Sequence, residues 1–377
     1  MKINIIHVIG SLKSGGAENQ LVTLALEQAR QGDTVSIIVF EIYETKLEKI
    51  CIENNINLIN IKLKKKSILK GFLNLNKNLK KLNAQKSIIQ SWMYTADLFV
   101  SLCFIINIFN FSQKNYKIFW NIRSTVFTGF KEFSLSRYLI ACSCIPLSYF
   151  IPVKIINCAH AAKNSHMAWG YKKSKMEVIH NSFDASKFIY KPNKIKNKDF
   201  TIGFVGRNDP IKNFSEFVNL IEDITKIGIS VKGVVAGREH NVSFVKSISE
   251  NEDVIQRIKF IGDIENVVEM YHNLDLLVCL SFSEGFPNII AEASLCGVDC
   301  LSYDVGDVSY IIPKGNIIYE RDYSLMLIKV LKKIDDFNSS KTNRNPKMVR
   351  EHIQENFNII KIVNSYKDLY LGSEITK

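Results

Sequence analysis

Two basic residues on one loop, and two acids on a loop and the helix it opens, each after an apolar run, offer this 377-residue chain its clearest chemistry. The run Gly203-Phe204-Val205-Gly206-Arg207-Asn208-Asp209-Pro210-Ile211-Lys212-Asn213 puts Arg207 and Lys212 between a strand and a helix that starts near Phe214. Two cations flanking a helix start can hold a diphosphate, each charge-assisted hydrogen bond contributing about 1.5–3 kcal/mol. A solvated basic loop has the same sequence signature. The second run, Ser283-Glu284-Gly285-Phe286-Pro287-Asn288-Ile289-Ile290-Ala291-Glu292, follows the buried strand expected at Leu276–Leu280. It sets Glu284 on the loop and Glu292 about one turn inside the next helix. A carboxylate accepts two hydrogen bonds from adjacent hydroxyls, which a sugar ring or a ribose diol supplies. Gly285 lets the backbone approach a ligand, Phe286 and Pro287 complete the turn, and the N–H groups of Asn288 and Ile289 open the helix.

A third glycine loop ends the first strand: Gly10-Ser11-Leu12-Lys13-Ser14-Gly15-Gly16-Ala17-Glu18. A glycine turn at a helix N-terminus suits an anion. A phosphate-binding P-loop needs Lys and then Ser or Thr after Gly15, where Gly16 and Ala17 stand, and the G-x-G-x-x-G dinucleotide fingerprint is missing too. An ordinary strand-to-helix turn, with glycines for geometry alone, fits the same residues.

The elements that must position these groups alternate in type. Strands are expected at Ile3–Ile9, Thr34–Phe40, Ser87–Ser91 and Lys117–Ile122, with a helix at Ala17–Gln31. After the basic, Pro- and Asn-containing stretch Lys191–Lys198 the rhythm restarts, with strands at Thr201–Val205, Ser230–Ala236, Ile258–Ile261 and Leu276–Leu280 and a helix at Phe214–Ile227. Such alternation predicts an α/β chain of two facing, doubly wound Rossmann-like domains with a ligand in the crevice between them. Boundaries are expected at residues 1–180 for the N-terminal domain, 181–198 for a linker and 199–345 for the C-terminal domain, with a last helix near Ile353–Tyr370 in the segment 346–377. The apolar stretch Leu98–Phe111 is short of the roughly 20 residues a membrane span needs and reads as a buried helix.

Composition agrees with a soluble globular chain: 46% hydrophobic, 23% charged, 7 prolines and 18 glycines exclude a disordered, collagen-like or disulfide-scaffold protein. A net charge of +12 calls for an anionic partner: nucleic acid, a phosphorylated small molecule or acidic lipid. The eight cysteines form no C-x-x-C pair and read as buried hydrophobes of a reducing compartment, and the seven histidines are not expected to form a metal site. The first apolar run is too short for a signal-peptide core, so no leader is expected.

Taken together, Ser14-Gly15-Gly16-Ala17-Glu18, Gly206-Arg207 with Lys212, and Glu284-Gly285-Phe286-Pro287 ending in Glu292 resemble glycosyltransferase family 4, the retaining GT-B sugar transferases of bacterial surface-polysaccharide type. Glu284 and Glu292 match that family's E-x7-E motif. Asn181-Ser182-Phe183-Asp184 with Phe188 is similar to its interdomain N-G-x-D…F signature, with Ser182 in place of glycine. Gln90–Leu98 and Trp120-Asn121-Ile122-Arg123 are similar to first-domain segments of its surface-polysaccharide members.

The resemblance implies a nucleotide diphosphate-sugar donor bound by Gly16, Arg207, Lys212, Glu284, Gly285, Phe286, Pro287, Asn288, Ile289 and Glu292, with Arg207, Lys212 and Glu284 catalytic: Arg207 and Lys212 on the diphosphate, Glu284 on the transferred sugar, Glu292 on the ribose hydroxyls and Gly16 near phosphate and acceptor. It also implies that the last helix, within 346–377, returns to the first domain. It implies no cofactor and, with no D-x-D in the sequence, no metal. Where many relatives carry His, this chain has Arg123, which cannot act as a base but can contact substrate; a structural strand-end Arg is the alternative. The implied acceptor is a glycan or polyprenyl-diphosphate-linked sugar, and the transferred group a hexose or N-acetylhexosamine. Two other functions share these residues: a GT-B nucleotide-sugar epimerase, and a non-catalytic glycan-assembly protein held at a membrane.

Ile61–Lys86 contains nine lysines, Lys62, Lys64, Lys65, Lys66, Lys70, Lys77, Lys80, Lys81 and Lys86, and no acid. Ile68, Phe72, Leu75, Leu79 and Leu82 recur at helical spacing, so an apolar stripe is expected to face the protein while lysines face out. Such a helix favours an anionic cytoplasmic leaflet, which predicts a cytoplasmic protein peripheral to the membrane; a solvated face is the alternative. No nucleic-acid motif accompanies the charge, so nucleic acid is not expected as a partner.

Overall fold

The computed structural model describes residues 2–13, 15–63, 67–82, 87–107, 116–125, 135–191, 199–264, 266–339 and 346–372. Ser14, Lys64, Lys65, Lys66, Lys86 and residues 192–198 of the expected linker fall outside them. The chain divides into two compact units, Met1–Ser182 with Ile359–Lys377, and Phe183–Asn358.

The first unit is a parallel seven-stranded sheet. Its strands are β1 (Asn4–Ile9), β2 (Thr34–Val39), β3 (Asn57–Asn60), β4 (Ser87–Trp92), β5 (Tyr116–Ile122), β6 (Lys154–Asn157) and β7 (Met176–Val178), in the order β3-β2-β1-β4-β5-β6-β7. The intervening helices are α1 (Gly16–Arg30), α2 (Lys46–Glu53), α3 (Ile68–Leu82), α4 (Met93–Asn107), α5 (Leu135–Phe150) and α6 (His160–Ala168). Alternation along β1 sends Ile5 and Ile9 to one face and Ile6 and Val8 to the other. The first set packs with Leu21 and Leu24 of α1 and Cys51 of α2, the second with Leu75 of α3, Val100 of α4 and Cys144 of α5. Both faces are covered, which is why the strands read as nearly unbroken apolar runs.

The second unit holds β8 (Phe200–Val205), β9 (Val231–Ala236), β10 (Ile258–Gly262), β11 (Leu276–Cys279), β12 (Asp299–Tyr303) and β13 (Ile317–Ile318), all parallel, in the order β10-β9-β8-β11-β12-β13. Its helices are α7 (Phe214–Lys226), α8 (Val242–Lys246), α9 (Glu252–Arg257), α10 (Val267–His272), α11 (Asn288–Leu295), α12 (Tyr323–Asn338) and α13 (Pro346–Asn356). The strand order reverses between β8 and β11, which are neighbours through Ile202 opposite Leu276 and Gly203 opposite Leu277. Ligands of open α/β sheets bind beyond the carboxyl ends of the strands at such a reversal.

The last helix, α14 (Ile359–Gly372), belongs to the first unit and buries Ile362, Val363, Tyr366 and Tyr370 there. The sequence predicts one helix near Ile353–Tyr370, and the resemblance implies that 346–377 returns to the first domain. Instead α13 stays in the second unit, where Arg350 donates to the carbonyls of Phe188 (2.7 Å) and Ala185 (3.2 Å). The break falls at Phe357–Asn358, where the Phe183 N–H bonds the Phe357 carbonyl at 2.8 Å. Likewise, 183–191 is part of the second unit rather than a free linker.

Leu98–Phe111 also differs from expectation. Described to Asn107, α4 buries only one side against the sheet and leaves Leu102, Ile105 and Ile106 exposed. No helix among the described residues is long and apolar enough to cross a membrane. The cysteines are all free, and every one except the half-buried Cys142 is buried.

Candidate active site

In the second unit, the loop after β8 carries Arg207 and Lys212, and the loop after the adjacent β11 carries Glu284. The two loops are joined through main chain, the Phe282 N–H donating to the Ile211 carbonyl at 2.7 Å. Side chains join them too: the Lys212 ammonium donates to Glu284 Oε1 at 2.5 Å, and Ser281 Oγ donates to the same oxygen at 2.7 Å. Burial works against the Lys212 charge, but Glu284's charge and hydrogen bond outweigh it, so the pKa lies above the ordinary lysine value. Lys212 is therefore a cation at every physiological pH.

Arg207 is exposed and pairs with Asp209 at 3.4 Å. Asp209 also caps the short turn Pro210–Lys212, accepting from the Ile211 N–H at 3.2 Å. Arg207 is close enough to Lys212 for its charge to act on it. An anion arriving between them meets two cations whose present partners are carboxylates of the same loops.

Gly285, Phe286 and Pro287 lead into α11. Phe286 is buried against Phe183 and Phe357, with ring centroids 6.1 and 5.2 Å away, which anchors the turn. Along α11 the residues Ile290, Ala291, Ala293, Ser294 and Leu295 are sealed inside. Asn288, Ile289 and Glu292 share the helix side left half-buried, consistent with their i, i+3 and i, i+4 spacing. Glu292 has a partner of its own, the Tyr271 hydroxyl, which donates at 3.0 Å. Burial pushes the Glu292 carboxyl up to about 7, against the opposing effect of that hydrogen bond.

Gly16 and Arg123 lie in the first unit. Gly16 opens α1, with Gly15 at its N-cap. Arg123 follows β5; its guanidinium donates to the Ile179 carbonyl (3.1 Å) and the Tyr366 hydroxyl (3.0 Å) and stacks over Trp92 at 5.1 Å. It thus fastens α14 to the sheet, the structural role that the sequence left open beside substrate contact.

Several supporting residues escape a reading of the sequence. Arg321, whose own φ is +45°, donates to the carbonyls of Ser281 (2.7 Å) and Leu280 (3.2 Å) and lies over the rings of Phe282 and Tyr303 at 4.1 and 4.3 Å. It clamps the backbone that aims Glu284. Gly237, at φ +127°, leaves room for the Gly206 carbonyl, which a Cβ would approach to 1.8 Å. Gly306, at φ +58°, does the same for the Glu284 loop: a Cβ would lie 2.3 Å from the Gly285 oxygen and 2.9 Å from that of Glu284. Gly306→Ala is therefore expected to displace this loop and to destabilise the protein by roughly 1–3 kcal/mol, a lower midpoint in urea being the measurement.

The comparisons with known proteins bear on this arrangement. Residues 186–336, which include all of the second unit's candidate residues, match the family described as glycosyl transferases group 1. The structure of Anabaena HepE in complex with UDP and glucose superposes with a TM-score of 0.80 at 16% identity, over 99% of this chain and 100% of that one. The fold expected from the sequence, two Rossmann-like α/β units of GT-B type, is the one they share. The capsular polysaccharide biosynthesis glycosyltransferase CapM of Staphylococcus aureus is 27% identical over 236 residues, 57% of this chain and 59% of its own. The UDP-Gal:alpha-D-GlcNAc-diphosphoundecaprenol alpha-1,3-galactosyltransferase of Escherichia coli is 26% identical over 218 residues, 54% of this chain and 56% of its own. The chain thus spans little more than half the length of these curated relatives.

Proposed function

We propose that this chain is a retaining glycosyltransferase of family 4 type. It moves a hexose or N-acetylhexosamine from a nucleotide diphosphate-sugar to a glycan or polyprenyl-diphosphate-linked acceptor in bacterial surface-polysaccharide synthesis. The observation that carries this reading is the Lys212–Glu284 pair at the strand reversal of the second unit, 2.5 Å apart, with Arg207 on the same loop as the lysine. The group 1 match and the relatives' names support it.

In this reading Arg207 and Lys212 take the donor's diphosphate and neutralise the charge that grows on the leaving nucleotide, the kind of preorganised electrostatic work that dominates such steps. Two fixed cations perform the neutralisation, so no metal is invoked. When the phosphate engages Lys212, the Glu284 carboxylate is released toward the transferred sugar's hydroxyls. Glu292 accepts from the ribose hydroxyls. The sugar–phosphate bond breaks as the acceptor oxygen approaches the same face, and the acceptor's proton leaves with the departing phosphate, so the anomeric configuration is kept without a protein nucleophile.

Nucleoside diphosphate release that requires an acceptor, with an α-anomeric product seen by NMR from an α-linked donor, is the expected result. Acceptor-independent turnover or an inverted product would reject the reading. A pH dependence is also expected. Only the ionised Glu292 accepts two hydrogen bonds, and its carboxyl titrates at about 7, so donor affinity rises as pH climbs through about 7 and levels off above it. Glu292→Gln flattens that profile in a calorimetric titration.

A further inference from the structure

A third carboxylate of the second unit is tied to the loops of both Lys212 and Glu284. Glu216 stands in the first turn of α7, three residues after Asn213, the helix's N-cap. A glutamate at that place commonly reaches back to the N–H of the capping residue. Here that N–H already donates to the Pro210 carbonyl at 3.1 Å, and the Glu216 carboxylate is left to other partners. The Asn213 side-chain amide donates to its Oε2 at 2.6 Å, the Tyr303 hydroxyl at the end of β12 donates to its Oε1, and the Arg321 guanidinium lies 3.6 Å from Oε2. The Glu216 side chain is only 19% exposed. Burial first, and then this carboxylate, push the Tyr303 hydroxyl above the ordinary tyrosine range, so it remains a donor.

Two of these partners lead to the two loops. Asn213 directly follows Lys212 and has a φ of +57°, a left-handed conformation that asparagine tolerates better than most residues. It swings the chain from the turn Pro210–Lys212 into α7, so holding its side chain fixes the course of the backbone beside the lysine. Arg321 passes the same restraint to the other loop through the carbonyls of Ser281 and Leu280, and the Ser281 hydroxyl donates to Glu284. Lys212 and Glu284 are 72 residues apart in sequence, and their 2.5 Å bond requires the two loops in one register.

We infer that Glu216 is a positioning residue: through Asn213 on one side and Arg321 on the other, it sets how Lys212 and Glu284 face each other. The helix dipole alone favours an acid at this place, yet it requires neither burial nor partners from two other segments. The importance of this register for catalysis rests on the proposed transfer reaction; the bracing itself is a property of the free protein.

The test uses the full chain and the variants Glu216→Ala, Glu216→Gln and Tyr323→Phe. Tyr323 of α12 donates to Asp223 of the same α7 at 2.6 Å, so its loss removes a tie of that helix without removing a bond to either loop. Amide exchange without ligand, read by mass spectrometry, is expected to quicken about tenfold in Glu216→Ala over both 206–213 and 280–286. Glu216→Gln still accepts from Asn213 but loses the ion pair with Arg321, and is expected to quicken chiefly 280–286. Tyr323→Phe is expected to leave both segments as in the wild type. In calorimetric titration with UDP, GDP and ADP, Glu216→Ala is expected to lose about tenfold of a diphosphate's margin over its parent nucleoside, with nucleoside affinity unchanged; a general loosening of the fold would lower both. Wild-type exchange in either loop of Glu216→Ala, equal quickening throughout the second unit, or an undiminished diphosphate margin would each overturn the inference. If Glu216→Ala does not fold, Glu216→Gln decides: quickening confined to 280–286 supports the inference and unchanged exchange there overturns it. Local quickening in a protein that binds none of the three diphosphates would support the bracing and reject the transferase reading.

Discussion

Lys212→Ala is expected to lower kcat by about 10²–10³-fold, the usual effect of removing one preorganised donor from a charge-developing transition state. Two consequences follow from the geometry. The leaving diphosphate keeps only the exposed Arg207, whose long side chain is already tied to Asp209 at 3.4 Å. In the free protein Glu284, its side chain only 14% exposed, retains Ser281 as a hydrogen-bond donor and loses its counter-ion. An under-compensated, partly buried carboxylate should reduce stability by about 1–3 kcal/mol. Lys212→Arg keeps the charge and should restore stability more fully than rate, because the shape of the loop near Gly206 is fitted to the lysine stem, 3.2 Å from where a Gly206 Cβ would stand. Steady-state kinetics beside urea unfolding separates the two effects.

Glu284→Gln is expected to cost about 10²-fold in kcat while tightening, not weakening, the grip on a nucleoside diphosphate. The resting protein holds Lys212 on Glu284, so a diphosphate must compete with that carboxylate for the ammonium. Gln accepts from Ser281 and Lys212 but carries no charge, so the lysine is released more readily. Affinity for the nucleotide product and turnover should therefore move apart. Loss of both together, or neither, would contradict the assignment of Glu284 to the sugar and Lys212 to the phosphate. The split is readable only with a nucleotide lacking the sugar, since the intact donor reports both contacts at once.

The candidate residues were legible because each pair is local in sequence, although Lys212 and Glu284, which meet, are 72 residues apart. Arg207 and Lys212 sit in one loop, and Glu284 and Glu292 belong to one loop–helix step, so strand ends and glycine turns located them. What the loops rest on was not legible. Arg321 reaches Ser281 and Leu280 from forty residues away, and a lone arginine in a turn gives no sign of its partners. Gly306 and Gly237 look like any turn glycines until the carbonyls they accommodate are known. Tyr271, which sets the environment of Glu292, lies on a six-residue helix too short for its pattern to show that the hydroxyl points at another helix.

The same distinction holds for the fold. Strands with long apolar runs, β1, β2, β4 and β5, came within about a residue of their observed limits, whereas short edge strands such as β3 and β13, four and two residues long, carry too little periodicity to register. The end of α13 depends on the Phe183–Phe357 backbone bond, a contact between distant segments. The exposure of Leu69 and Phe150 is equally invisible to periodicity, which assigns apolar residues inward.

Arg207 and Lys212 are assigned as a diphosphate grip. Calorimetric titration of UDP, GDP and ADP, each against its parent nucleoside, into the wild-type protein and an Arg207→Ala/Lys212→Ala variant tests it directly. At least one diphosphate should bind the wild type more than tenfold more tightly than its nucleoside, and the double variant should erase that margin. A margin that persists in the variant, or its absence for every diphosphate with the wild type, would contradict the account.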